Sequence, residues 1–265
     1  MGVNIFGDWA QGASHNRAGI EWQDYWRKID YVKGVYILSV ADGHGSEMCP
    51  YSAEGARFAT KVFCSLMLEY YNNYDDLNAL ETFLNREGDT KFARTIDLAW
   101  KEEVLSAQER EGRNIELSER EIYMLYGTTL LGLMITGSFV FAFQIGDGDM
   151  IYADGSTVTP LIRSDKLLGV ETHSLSSGNA WKNAVCGVMN RELNENLPYM
   201  YMLSTDGFSN SFENRGAYYT TCREYFEMIN KHGVKTVKEH LKQWLSETSE
   251  MGCGDDITTV FAYVS

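Results

Sequence analysis

Five aspartates stand where a carboxylate could do chemistry. They are Asp24, Asp42 in Asp42-Gly43-His44-Gly45, Asp147 in Gly146-Asp147-Gly148-Asp149, Asp206 in Thr205-Asp206-Gly207, and Asp255 in Gly254-Asp255-Asp256. Each lies at the beginning or end of a strand-like run, beside a glycine or a short polar turn. Strand ends at one edge of a layered sheet converge, and convergent carboxylates repel one another unless a cation sits between them. Oxygen donors without His or Cys favour octahedral magnesium or manganese over zinc, and glycine lets a backbone carbonyl approach an ion. Any one Asp-Gly pair is more simply a turn. Asp154-Gly155, inside a hairpin pattern, is assigned to a turn, and Asp149 with it. Turns alone explain the ordered set poorly.

Acids of this kind need rigid elements behind them. The β-rich apolar run 35–41 predicts a strand that stops at Asp42, and WAQGASH (9–15) and DYWRKIDY (24–31) read as strand-like material before it. Ala56, Ala59, Val62, Phe63, Leu66, Met67 and Tyr70 recur every three or four residues, which puts one apolar stripe on a helix. Leu77, Leu80, Phe83 and Leu84 mark a second helix; Phe92, Ile96, Ala99, Trp100 and Val104 mark a third. From Tyr126 the period changes to that of strands. TTLLGLMIT and FVFAFQIGD form a hairpin across Gly137-Ser138, and MIYADGSTVTPL forms another. The stretch 164–198 is polar and weakly periodic, and is expected to be a long loop or flap. A strand at 199–204 leads to Asp206. Two helical stripes follow, from Cys222 and from Val234 with Gly233 as a cap between them, and a strand at 257–264 closes the chain. The order predicts an α+β fold with helices packed on the outside of two layered β-sheets.

The 265 residues carry 23 Lys+Arg against 37 Asp+Glu, a net charge of −14. Such acidity argues against nucleic acid or an anionic membrane as partner, since both reward clustered basic residues. With 44% hydrophobic residues and only three prolines the chain can bury a large core. No apolar run approaches the roughly 18 residues of a membrane span. The N-terminus lacks a signal-peptide pattern. The five cysteines are scattered without ligand spacing and read as reduced thiols, so the expected location is cytoplasmic. His173, His232 and His240 have no acidic or cysteine partner at ligand spacing and are assigned exposed or structural roles. No linker or repeat divides the chain, which is expected to be a single domain spanning 1–265.

In order along almost the whole chain, the motifs are Ser14-His15, Gly19 and Gln23-Asp24; VADGHGS (40–46); YGTTL (126–130); IGDGD (145–149); LSTDGF (203–208); and GDDITTV (254–260). This succession resembles the metal-dependent type 2C Ser/Thr protein phosphatases, and within them a bacterial branch with the Ser-His…Gly…Gln-Asp opening. The resemblance implies a four-layer α-β-β-α sandwich, a central antiparallel β-sandwich flanked by helices, with a dinuclear manganese or magnesium site at one end. Asp42 would bridge the two ions, helped by the Gly43 carbonyl. Asp24, Asp206 and Asp255 would supply further carboxylates, and Asp147 with Asp206 would mark a third metal position. His44 would be the general acid, and 164–198 the variable flap that influences substrate choice.

Two histidine-and-metal functions would then suffice for a phosphate monoester: a strong nucleophile made from water, and a proton for the departing alkoxide. No phosphoenzyme is required. The partner implied is a phosphorylated protein, with a Ser/Thr kinase as its counterpart. Three positions depart from the better-known pattern. Gln23 replaces a Glu, Gly19 stands where an Arg often receives phosphate, and Gly146-Asp147-Gly148-Asp149 replaces Gly-Asp-Ser-Arg. His15 and Arg17 are the nearby candidates for contact with the substrate phosphate. Asp256 is expected to accept hydrogen bonds rather than bind metal, and Thr128 and Thr129 to orient the sheet edge. The rival readings are a catalytically weak family member that binds phosphoproteins as a regulator, and a phosphatase of small phosphate esters.

Overall fold

Sequence period decides layer membership in this chain, and strand register decides where the acids go. In a computed structural model, which describes residues 2–31, 34–113, 116–162, 173–193 and 195–265, the strands form two five-stranded sheets. One contains β1 (Val3–Ala10), β6 (Asp149–Asp154), β7 (Val158–Pro160), β9 (Tyr199–Ser204) and β10 (Ile257–Val264), in the order β1-β10-β9-β6-β7. The other contains β2 (Tyr25–Tyr31), β3 (Val35–Ala41), β4 (Leu130–Ile135), β5 (Phe139–Ile145) and β8 (Val185–Asn190), in the order β2-β3-β4-β5-β8. All neighbouring pairs are antiparallel.

Alternate side chains of one strand point to opposite faces, and here both faces are covered. Leu38 and Val40 of β3 and Leu131 and Leu133 of β4 point inward, against Met150, Tyr201, Leu203 and Val260 of the facing sheet. Ile37 and Ala41, with Phe141 and Phe143 of β5, point outward. They pack beneath α2 (Ser52–Asn73), α3 (Leu77–Glu87), α4 (Ala93–Arg110) and α5 (Glu119–Met124). One π-helical turn, Gly88–Phe92, inserts Phe92 edge-on between Phe141 and Phe143, with ring centroids 5.5 Å from each. On the far side, Met200, Met202 and Phe261 meet α6 (Asp206–Asn210), α7 (Arg215–His232) and α8 (Val234–Met251). This is the α-β-β-α arrangement expected. Strands buried on both faces read as unbroken apolar runs, which is why 35–41 and 199–204 show little alternation.

The registers gather the acids at one end. Asp24 precedes β2 and Asp42 follows β3, and the pairing of Tyr25 with Ala41 sets them side by side. Ser204 pairs with both Asp149 and Thr259, so Asp206 after β9, Asp147 before β6 and Asp255 before β10 reach the same edge.

Two sequence expectations need correction. Strand β1 ends at Ala10, and Ala13–His15, the end of the run 9–15 read as strand-like, belongs to a short helix, α1 (Ala13–Ala18). Its path is set by tertiary hydrogen bonds from the Gly12 and Ser14 amides to Asp256 and Gly254, partners more than 230 residues away. The expected flap 164–198 falls partly outside the described residues, and within it Val185–Asn190 is an edge strand paired with β5 rather than loop. An edge strand with one face in solvent needs little hydrophobic pattern, because its backbone partner does the ordering.

The β6–β7 hairpin tests one local device. Asp154 accepts hydrogen bonds from the Ser156 and Thr157 amides at 2.7 and 2.8 Å. These bonds hold its carboxyl well below the usual carboxylate range, although partial burial opposes them. Asp154→Ala is expected to cost about 1 kcal/mol at neutral pH. A group with a lowered folded pKa stabilises above its unfolded value, about 4, and loses that contribution as pH falls through the folded value. Urea unfolding should therefore show a difference between wild type and variant that is constant at neutral pH and shrinks in acid below about pH 4.

Candidate active site

Where the strand ends meet, a polar cavity of about 230 Å³ is lined by His15, Asp42, Gly43, His44, Gly45, Asp147, Asp206 and Asp255. Asp42 emerges from β3 on a short tether. Its amide donates to Thr129 Oγ1 at 3.0 Å, and its carbonyl accepts from the Thr129 amide and the Thr128 hydroxyl at 2.8 Å each. The two threonines thus hold the sheet edge as expected. Asp24 is buried behind the cavity wall, only 1% exposed. Thr205 Oγ1 donates to Asp24 Oδ2 at 2.9 Å, and the same oxygen accepts from the Thr258 amide at 3.0 Å. Thr205 therefore clamps β9 and β10 to Asp24. Asp206 opens α6, where Asn210 Nδ2 donates to its Oδ2 at 2.9 Å.

The electrostatics are those of crowded acids. Burial, then the charges of Asp24, Asp206 and Asp255, hold the Asp42 carboxyl well above its usual range. Burial and the charge of Asp256 do the same to Asp24, against the opposing hydrogen bond from Thr205. A divalent cation would reverse both shifts. The donor chemistry fits one. Asp24 Oδ1 and Gln23 Oε1 are buried oxygens with no hydrogen-bond partner among the described residues, and four carboxylates line the cavity with Gly43, Gly45 and two imidazoles. Among the described residues no three His, Cys, Asp or Glu side chains close into a tight ligand cage. An open, polar cavity instead suits magnesium or manganese, which keep several of their waters.

Asp256 organises the N-terminal side. It is 4% exposed; its Oδ1 accepts from the Gly12 amide at 2.6 Å and its Oδ2 from the Gln23 amide at 2.9 Å. His15 Nδ1 lies 3.0 Å from Asp256 Oδ1 without hydrogen-bond alignment, and its Nε2 lies 3.5 Å from Asp255 Oδ1. His15 thus sits in the cavity wall between two carboxylates. Arg17, two residues on, is exposed on α1 and is not among the lining residues. Gly19 ends α1 in the left-handed conformation, φ +68°, where an arginine would be strained. Asp149, assigned to a turn, begins β6 and pairs with Arg215 Nη1 at 2.7 Å.

His44 reaches the cavity because Gly127 has no side chain. A carbon added there would lie 2.8 Å from His44 Cδ2 and 3.1 Å from Cys49 Sγ. Thr205, Gly127 and the Ser174 hydroxyl, which accepts from the Thr128 amide at 3.1 Å, are site residues that sequence reasoning missed. Gly127 and Thr205 stand inside the YGTTL and LSTDGF motifs, which was their local signal, and Ser174 carried none.

Comparison with known proteins assigns the chain to a family and a fold. Residues 11–246 match the profile of the protein phosphatase 2C family. The chain belongs to that family, a class of metal-dependent protein serine/threonine phosphatases. No curated protein sequence matches it. Among solved structures, it is similar to a C. elegans sex determining protein (TM-score 0.66, 16% identity), covering 100% of this chain and 65% of that one. The chain therefore spans slightly less than two thirds of that protein. It is also similar to the catalytic domain of the serine threonine protein phosphatase PstP in complex with 2 manganese ions (TM-score 0.59, 14% identity, 99% of both chains). A third likeness is to the serine/threonine phosphatase Stp1 from Staphylococcus aureus (TM-score 0.64, 13% identity, 99% of this chain and 94% of that one). At such identities the likeness is one of fold.

Asp256→Ala would leave the Gly12 and Gln23 amides without their acceptor. The expected loss is about 2 kcal/mol of unfolding free energy, with faster hydrogen exchange at those two amides than elsewhere in the sheets. Unchanged protection at Gly12 and Gln23 would refute the role given to Asp256.

Proposed function

We propose that this protein hydrolyses phosphoserine and phosphothreonine in proteins, using water activated by two manganese or magnesium ions and forming no phosphoenzyme. The observation that carries the reading is the cavity itself. Four acids from four separated segments, Asp42, Asp147, Asp206 and Asp255, share it with His44 and His15, and among the described residues no Ser, Thr or Cys lines it. A site without a hydroxyl or thiol nucleophile is suited to attack by water.

Asp42, the Gly43 carbonyl, Asp24, Asp206 and Asp255 would hold two ions, and Asp147 with Asp206 a third. Bound there, the ions would lower the pKa of water and neutralise phosphoryl oxygens. Asp42 is the acid best placed to serve two ions, since Asp24, Asp206 and Asp255 all act on it. His44, on the cavity wall, would protonate the departing Ser or Thr oxygen. His15 lies between Asp255 and Asp256 and could touch the phosphate only from that wall. Arg17, exposed on α1, is the weaker of the two candidates. The unit that acts is residues 1–265 as one catalytic domain, on a phosphorylated protein whose kinase is its counterpart. The five unpaired cysteines suit the reducing cytoplasm. No helix among the described residues is long and apolar enough to cross a membrane.

One observation favours a second reading. No Lys or Arg among the described residues lines the cavity, so phosphate would be received by the ions and imidazoles alone. A weak enzyme that retains phosphoproteins would look the same.

Turnover of a phosphothreonine peptide by metal-stripped protein, titrated with manganese and then magnesium, separates these readings. Metal should restore hydrolysis, and Asp42→Asn or Asp206→Asn should lower it by a factor on the order of a thousand or more. Full activity in either variant would sink the site assignment. Tight peptide binding without turnover would establish the second reading.

A further inference from the structure

One buried charged pair lies outside the site yet reaches toward it. Lys101 and Asp97, one turn apart on α4, are 2.8 Å from each other, with side chains only 11% and 4% exposed. Lys101 Nζ also donates to the Ser177 and Gly178 carbonyls at 3.1 Å each, and stands 5.4 Å from the centre of the Tyr123 ring. Taking such a pair out of water is costly, and an apolar pair of the same volume would usually stabilise the fold at least as well. What the ion pair adds is direction: a buried ammonium fixed by Asp97 captures two backbone carbonyls and sets the segment that carries them.

That segment, 173–178, lies behind the cavity lining, against Gly127, Thr128 and Gly146, which adjoin lining residues. The His173 carbonyl lies 3.2 Å from where a carbon on Gly146 would be, next to Asp147. The Ser174 hydroxyl accepts from the Thr128 amide, and the Leu175 amide donates to the Thr128 carbonyl at 2.9 Å. Thr128 in turn holds the Asp42 carbonyl. Ser176 Oγ lies 3.5 Å from the position of an added Gly127 carbon, which is also 2.8 Å from His44 Cδ2. Beyond these inward contacts, Ser177, Gly178, Asn179 and Lys182 are exposed. They form an exposed ledge on the α4 side, outside the cavity lining itself.

We propose that Lys101 is a positioning residue which, through Asp97 and the two carbonyls, sets this ledge beside the cavity and so governs how a polypeptide substrate is held. The proposal rests on the phosphatase reading of the cavity. In Lys101→Met, Asp97 would be buried without its partner, so the double variant Asp97→Asn/Lys101→Met, which buries no charge, is the main test. Lys101→Arg, which keeps the cation, is the rescue.

In the double variant, hydrogen exchange at the Leu175 and Ser177 amides should accelerate. KM for a phosphothreonine peptide should rise about tenfold, while kcat/KM for an aryl phosphate and the manganese affinity measured by calorimetry stay within about twofold of wild type. Lys101→Arg should restore most of the peptide KM. Unchanged exchange at the two amides, or an equal loss on both substrates, would overturn the assignment, as would weakened manganese binding. If wild type hydrolyses neither ester, the phosphatase reading fails and takes this role with it. If wild type is active and the double variant is indistinguishable from it, only the role of Lys101 fails.

Discussion

Mutual repulsion of carboxylates at one end of a β-sandwich is the constraint on which the rest of this structure depends. Asp42 sits among Asp24, Asp206 and Asp255, and burial adds to their charges in opposing its ionisation. Left to local preference, four such groups would separate into water. They remain together because the strands that carry them are committed by pairing elsewhere: Tyr25 to Ala41, and Ser204 to both Asp149 and Thr259. Sheet cores buried on both faces supply the stability that lets one edge be electrostatically unfavourable, a common bargain at functional sites.

A polar frame transmits that commitment from the sheets to the acids. Thr205 joins β9, β10 and Asp24 through one hydroxyl. Thr128 and Thr129 fix the backbone of Asp42 from both sides. Asp256 fastens Gly12 and Gln23, at the other end of the chain, to the start of β10. These contacts are buried or partly buried hydrogen bonds, in which loss of one partner leaves a desolvated group behind. They define the cavity more sharply than apolar packing could, because a hydrogen bond specifies direction as well as distance. The Lys101–Asp97 pair extends the same logic to the Ser177 and Gly178 carbonyls on the α4 side.

The departures from the better-known family pattern find local explanations. Gly19 ends α1 in the left-handed conformation, which an arginine would adopt only with strain. Asp149 is not among the described residues that line the cavity, and it meets Arg215 from α7. Gln23 places its side-chain oxygen next to Gly45, and its backbone amide serves Asp256. With His44 and His15 as the only cationisable side chains among the described lining residues, the cavity is strongly biased toward binding cations.

Much of this was legible in the sequence because it depends on local period and on residue type. Strand 35–41 and the helical stripes beginning at Ala56, Leu77 and Val234 follow from hydrophobic spacing, and the ordered set of aspartates, though no single Asp-Gly pair, raises the expectation of hard-cation chemistry before any geometry is known. What the tertiary structure alone decided are the contacts between distant segments. The Gly12 amide turns the chain into α1 only because Asp256 is there to accept it, and β8 is a strand only because β5 offers an open edge. Likewise His15 enters the cavity wall and Arg17 does not, although two residues separate them, because the orientation of α1 is set from the other end of the chain. Periodicity reports which face of an element is buried; it carries no information about which remote donor will meet which acceptor, and that pairing forms the site.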